Sequence, residues 1–276
     1  MGNDTQQFTV LGGSGFIGSR LAAYLRGQGH RCEVPARGDA TVFSPPLGHV
    51  LYAIGLTSDF RTRPLDTVEA HVCVLRQLLA TGQFESLTYL SSTRVYAGGA
   101  DTSEAATLRV NPNDASDLYN LSKLMGESLC LHGGRAQVKV ARLSNIVGVR
   151  DSADSFLEQL LREGLPTGRV ELQTSLASRK DYLYVDDAVA LLTRIALAPQ
   201  GGIFNVAAGV GTSNQQIAQA LSQQAKIEVS VNSAAADWDF PDIAIAKVQQ
   251  LFQFSPQPFS EFFPHFLAAY PRGKGH

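Results

Sequence analysis

Tyr119 and Lys123 stand four residues apart in Tyr119-Asn120-Leu121-Ser122-Lys123. On a helix that spacing puts both side chains on one face. A lysine ammonium held there steadies the phenol and lowers its pKa. A phenol tuned in this way exchanges a proton with a substrate hydroxyl or carbonyl while a hydride moves to or from a nicotinamide. Tyr-Lys pairs at this spacing also recur by chance, so the reading depends on what surrounds the pair. Upstream, an apolar strand ends in Ser91-Ser92-Thr93-Arg94-Val95-Tyr96. A hydroxyl at the carboxyl end of a parallel strand lies where such folds bind ligands. The alternative for Ser92 is a hydroxyl that merely caps a turn.

A second constellation lies near the N-terminus. Phe8-Thr9-Val10-Leu11 reads as a short strand and runs into Gly12-Gly13-Ser14-Gly15-Phe16-Ile17-Gly18. Glycines let a backbone turn sharply and approach a pyrophosphate. The helix that follows offers the N–H groups of its N-terminus, so Gly12, Gly15, Phe16, Ile17 and Gly18 are the expected cofactor-binding set. An acidic residue at the end of the second strand would hydrogen-bond the ribose hydroxyls of NAD. Ala36 occupies that position here and Arg37 follows it. An arginine there suits the 2′-phosphate of NADP, which is therefore the expected cofactor, with NAD as the alternative. The bland reading of Arg37 is a solvated surface arginine.

These residues need a scaffold, and the hydrophobic pattern supplies one. A helix is predicted over 19–28, a strand over 31–36, turns over 37–48 and a strand over 50–54. A helix over 64–81, a strand over 87–91, a polar loop over 104–117 and the Tyr119 helix over 117–132 follow. Then come a strand over 138–143, a helix over 156–162, a strand over 182–185, a helix over 186–197, a strand over 203–206 and a helix over 213–224. Strands alternating with helices imply an α/β fold: a doubly wound parallel sheet (Rossmann) with a smaller C-terminal lobe. Residues 1–150 form the expected dinucleotide-binding domain. Residues 151–276 are mainly the substrate-binding region, with segments near 180–208 returning to the sheet, and the tail 271–276 is expected to fray.

Composition narrows the classes. The formal net charge is −2, which argues against nucleic acid as the partner, since a phosphate backbone wants a basic face. No apolar run is long enough to cross a membrane, and the polar segment Met1 to Gln7 does not read as a secretory signal. Cys32, Cys73 and Cys130 are scattered, so neither a disulfide framework nor a metal site is indicated, and a reducing cytoplasm is the expected location.

The glycine spacing, GxxGxxG, resembles that of the extended short-chain dehydrogenase/reductase superfamily, the branch of sugar-nucleotide epimerases, dehydratases and reductases. Ser91 to Tyr96 is similar to that branch's "SSxxVYG" segment, whose serine or threonine completes a Ser-Tyr-Lys triad; Ser92 matches by register, with Thr93 second. Ala141 to Gly148 looks like "RxxNxYG", carrying over Arg142 and Asn145, with Val147 in place of tyrosine. Lys180 to Asp187 is similar to "RDFVYVDD", although Asp186 and Asp187 also read as helix caps. Phe204-Asn205-Val206 resembles "YNVG", and Asp242-Ile243 with Phe252 to Pro256 resembles the family's C-terminal ending. The resemblance implies an NAD(P)-dependent epimerase or reductase of a nucleotide-linked sugar, with Ser92, Tyr119 and Lys123 catalytic. It also implies substrate contacts from Thr93, Arg94, Asn145 and Arg179, the last toward the diphosphate, and a homodimer paired through the Tyr119 helix and the helix before the catalytic strand.

Three departures stand out. The segment after the second strand is too short for the family's further strand, whose Asp meets adenine, and this motivates an alternative reading as a non-catalytic NADP(H)-binding sensor or scaffold. Related dehydratases carry Asp-Glu where this chain has Thr93-Arg94, which disfavours simple dehydration and offers Arg94 to a substrate phosphate or carboxylate. His71 stands where the family often has Asn and reads as a packed or surface residue.

Overall fold

The computed structural model describes residues 5–39, 42–57, 59–135, 137–149 and 155–271. The expected domain boundary at 150/151 and most of the expected frayed tail lie outside them. The first half runs β1 (Gln7–Leu11), α1 (Phe16–Gly27), β2 (Arg31–Glu33), β3 (His49–Tyr52), α2 (Pro64–Val68), a π-helical turn (Glu69–Cys73), α3 (Val74–Thr81), β4 (Ser86–Ser92), a 3₁₀ turn (Thr93–Tyr96), α4 (Asp117–His132), β5 (Val138–Leu143) and β6 (Asn145–Val147). The second half runs α5 (Phe156–Thr167), β7 (Arg169–Thr174), β8 (Arg179–Tyr184), α6 (Val185–Leu197), β9 (Gly202–Val206), β10 (Gly211–Ser213), α7 (Asn214–Ala220), β11 (Glu228–Ala236), α8 (Ala246–Phe252) and α9 (Phe259–Ala269).

The main sheet is parallel with order β2-β1-β3-β4-β5-β9. Its central strands are apolar on both faces. In β3, Leu51 joins one core layer while Val50 and Tyr52 join the other; in β5, Ala141 and Leu143 face the first layer and Val138 and Val140 the second. Burying each such side chain fully contributes about 1.5–3 kcal/mol. A third apolar cluster, built on Leu157, Leu161, Leu172, Tyr182, Phe262, Phe263 and Phe266, is the core of the C-terminal lobe. That lobe carries two small sheets, β10-β8-β6 and β11-β7.

Several elements differ from the sequence expectation. β2 stops at Glu33 rather than Ala36, because Pro35 has no N–H to give the ladder. With no strand between it and β3, β2 is the sheet's edge, in keeping with the short segment after it. The helix expected over 64–81 is interrupted by the π-helical turn. The helix expected over 156–162 continues to Thr167, opening on a Ser155–Glu158 capping box and closing at Gly168 with φ 70°. The helix expected over 213–224 ends as α at Ala220 and continues as a π-helical turn over Leu221–Ala225. The strands β6, β7, β10 and β11 and the helices α8 and α9 were not read from the sequence. Among the described residues no helix is long and apolar enough to cross a membrane, and none of their side chains group as a metal site.

Candidate active site

Strand order decides where a ligand can sit. β2 lies on one side of β1 and β3 on the other, so the order reverses between β1 and β3, and a crevice opens beyond their carboxyl ends. The glycine turn occupies that crevice. A Cβ on Gly12 would lie 2.7 Å from the Ala53 carbonyl, and one on Gly18 would collide with Gly12 itself. Gly12 therefore lets β1 turn against the end of β3, its φ of 83° being open to glycine, and Gly18 lets α1 start hard against the turn. Gly15 differs: a Cβ there would meet only the Gly12 carbonyl oxygen, at 3.3 Å, so its outer side is open. α1 begins at Phe16, so Phe16, Ile17 and Gly18 make up its first turn. A bare turn with a helix N-terminus beside it fits a dinucleotide's phosphates. Arg37 lies beyond β2, exposed and making no ion pair among the described residues.

β4 ends at Ser92, two strands from β1, and α4 packs beside it. Tyr119 is buried, with the Ser92 side chain near enough to act on its phenol. Ser92 also accepts a hydrogen bond from Arg94 N at 3.2 Å, so it caps the turn and faces the phenol at once. Thr93 is buried, and its hydroxyl donates to Leu143 O at 3.3 Å. Burial raises the Tyr119 pKa, while the Ser92 hydroxyl and the Arg94 charge oppose the rise. The Arg94 Cζ lies 5.7 Å from the centre of the phenol ring. Lys123 Nζ donates to Leu90 O at 2.9 Å and lies 5.9 Å from the centre of the Tyr119 ring. Burial pushes Lys123 down to about 7, with Glu127 pulling the other way.

Glu127 anchors the floor of the site. It accepts a hydrogen bond from Ser91 Oγ at 2.5 Å and pairs with Arg142 through contacts of 3.0 Å and 2.6 Å. Arg142 Nη1 donates to the Tyr96 hydroxyl, which donates to Asn205 Oδ1, each at 2.8 Å. The chain of bonds ties α4, β4, β5, β9 and the turn after β4 into one unit. Arg142, carried over by resemblance, is a buried structural residue. Asn145 is exposed, and its amide donates to Asp181 O at 2.8 Å, joining β6 to β8. Arg179 donates to Gly211 O at 3.0 Å and pairs with Asp242 at 3.3 Å, so its charge is partly answered within the lobe.

His71 is the residue that sequence reading undervalued. The π-helical turn carries it, and it is fully buried with its ring edge-on to Tyr119 at 5.4 Å. Leu56 N donates to its Nε2 at 3.2 Å. Its proton therefore sits on Nδ1 and bonds Ser122 Oγ at 2.8 Å, and that hydroxyl donates to Tyr119 O. Burial, assisted by the Lys123 charge, lowers the His71 pKa to about 2, so the ring stays neutral. Phe60, which also borders Tyr119, and Arg61, stacked on Phe60, lie on the loop after β3, where no periodic pattern marks them.

A parallel sheet with a glycine turn at its switch point, and a buried tyrosine at the end of a neighbouring strand, define a dinucleotide-type α/β protein. Residues 47–207 match the model of the NAD dependent epimerase/dehydratase family, and the chain belongs to that family. A curated relative, GDP-6-deoxy-D-mannose reductase of Pseudomonas aeruginosa, is 30% identical over 257 residues, covering 82% of this chain and 83% of that protein. The structure is similar to that of RMD from Pseudomonas aeruginosa complexed with NADPH, with a TM-score of 0.75 at 23% identity over 96% of this chain and 98% of that one. It is also similar to dTDP-glucose 4,6-dehydratase from Bacillus anthracis in complex with NAD, with a TM-score of 0.76 at 15% identity over 98% of each chain. At those identities the structural likeness is one of fold.

Proposed function

We propose that this chain is an NAD(P)-dependent enzyme that epimerises or reduces a nucleotide-linked sugar, with Ser92, Tyr119 and Lys123 as its catalytic residues. The observation that carries the reading is the buried Tyr119 phenol with Ser92 close to it at the end of β4, on the carboxyl edge of the same sheet that carries the glycine turn. NADP is the favoured cofactor, with Gly12, Gly15, Phe16, Ile17 and Gly18 at its phosphates, Arg37 at the 2′-phosphate, and Tyr119 and Lys123 at the nicotinamide side. Bound NAD(P) supplies the hydride donor or acceptor. Tyr119 gives or takes the proton at the sugar oxygen, and Ser92 holds that oxygen and the phenol in register. Lys123, buried and fixed on Leu90 O one helical turn from Tyr119, steadies and tunes the phenol. Arg94, Asn145 and Arg179 are the substrate contacts, and residues 151–276 mainly the substrate-binding region. The 30% identical relative, named as a reductase, supports the reductase arm.

The test is to incubate the purified protein with NADPH or NADH and a panel of UDP-, GDP- and dTDP-linked sugars and 4-keto sugars. Steady NADPH consumption is the reductase outcome, and a tightly held cofactor with interconversion of sugars is the epimerase outcome. NADP(H) binding with no turnover on any sugar would support the second reading, a sensor or scaffold, which rests on β2 being the sheet's edge. We further propose a homodimer through α2 and α4, where Leu65 is 83% and Met125 54% exposed.

A further inference from the structure

Two guanidiniums converge on the mouth of the site without an acidic partner. Arg61 and Arg94 place their Cζ atoms 4.5 Å and 5.2 Å from the centre of the buried Phe60 ring. Both bond Ser116: Arg61 reaches its hydroxyl at 2.9 Å and Arg94 its carbonyl at 3.4 Å. Phe60 in turn lies 5.4 Å from the Tyr119 ring, and the Arg94 Cζ lies 5.7 Å from that ring. Among the described residues neither arginine forms an ion pair. Asp114 and Asp117 act on Arg94 from beyond ion-pair reach. Asp117 accepts from Asn120 and from Asn111 N, and Asp114 accepts from Ser116 N.

Stacking on Phe60 and bonding to Ser116 fix the two cations, so little ordering remains to be done when an anion arrives. Each guanidinium keeps unused N–H donors in a planar fork, the geometry that takes up an oxyanion through paired hydrogen bonds. With both cations held on one ring and one serine, their charges repel, and burial together with Arg61 lowers the Arg94 pKa. A ligand anion relieves that repulsion.

The position of the cradle selects the anion. Arg94 flanks the phenol itself, whereas Arg179 sits in the C-terminal lobe on β8 and is paired with Asp242. An anion on Arg94 therefore belongs to the reacting sugar. We propose that Arg61 and Arg94 form a carboxylate-binding cradle beside Tyr119, so that the substrate is a nucleotide-linked sugar acid rather than a neutral hexose. This rests on the sugar-nucleotide reading given above.

The test uses the cofactor-loaded protein and matched ligands that differ only in the carboxylate: UDP-glucuronic acid against UDP-glucose, and GDP-mannuronic acid against GDP-mannose. Calorimetry should find at least one acid bound about tenfold or more tighter than its neutral partner. Arg61→Met, at an exposed position that spares the fold, and Arg94→Met should each bring that ratio to within about twofold of unity. A wild-type ratio near unity overturns the proposal, as does a parallel loss for acid and neutral sugar, which would assign the cations to the diphosphate. If no nucleotide sugar binds, the sugar-nucleotide reading fails, and the cradle is judged by free glucuronate against glucose, followed through the arginine Nε–Hε NMR signals. Shifts of the Arg61 and Arg94 signals with glucuronate alone uphold the cradle, and equal responses to both sugars overturn it.

Discussion

Burial makes Tyr119 a weaker acid than a tyrosine in water, and Ser92 and Arg94 offset part of that effect. A phenol balanced in this way keeps its proton at neutral pH yet can pass it to a substrate oxygen held between it and Ser92. Tyr119→Phe should cut turnover at least about a hundredfold while leaving fold and cofactor affinity intact. Circular dichroism and NADPH titration check the second half, and near-normal turnover would remove Tyr119 from the mechanism. Lys123 makes a separate prediction. In the unfolded chain its ammonium keeps the proton to a pH of about 10, whereas in the fold it releases it near 7. Between those values the unfolded state binds the extra proton, so this group makes the protein more stable as pH rises from neutrality. Urea unfolding of the wild type and of Lys123→Met at pH 7 and pH 9 should show the wild type gaining relative to the variant, and a difference independent of pH refutes the shifted lysine.

At the scale of elements, the glycine turn separates packing from binding. Gly18 is crowded by the turn itself and Gly15 is open on its outer side. Gly18→Ala should destabilise the fold by roughly 1–3 kcal/mol through overpacking. Gly15→Ala should leave the melting temperature nearly unchanged and weaken NADPH binding about tenfold or more, because the methyl group would enter the space a phosphate needs. Equal effects of the two substitutions on stability would contradict the division of labour. The π-helical turn at Glu69–Cys73 acts at the same scale. A single extra residue in the helix changes which side chains face α4, and one of them is His71, packed against Tyr119. A pattern of period 3.6 passes over that insertion without trace.

For the molecule as a whole, the sheet is the rigid part and its edges are where this chain departs from its family's pattern. β2 ends the sheet on the cofactor side, so the adenine end of any dinucleotide meets less protein there than the resemblance implies. At the opposite side the buried Glu127–Arg142 pair and the bonds through Tyr96 and Asn205 hold the turn after β4 to β9. Leu65 on α2 and Met125 on the outer side of α4 are exposed. Sedimentation velocity is expected to show a dimer, and the double substitution Leu65→Asp with Met125→Asp should shift it to monomer. A wild-type monomer at micromolar concentration rules out the pairing.

What the sequence alone determined was local. The glycine turn after an apolar strand, the Tyr119–Lys123 spacing, and strand-helix alternation are short-range patterns that follow from backbone freedom and from periods of 2 and 3.6 residues. They placed the central sheet and the residues around its switch point. Tertiary structure alone decided which partners those residues meet, since side chains far apart in sequence become neighbours only when the sheet is assembled. That is why Arg94 joins Lys123 beside the phenol, why Thr93 is buried against Leu143, and why His71 and Phe60 pack on Tyr119 with Arg61 stacked behind Phe60. The small strands of the lobe escaped for the same reason: β6 and β10 are three residues each, too short to show a period, and they exist because β8 lies between them.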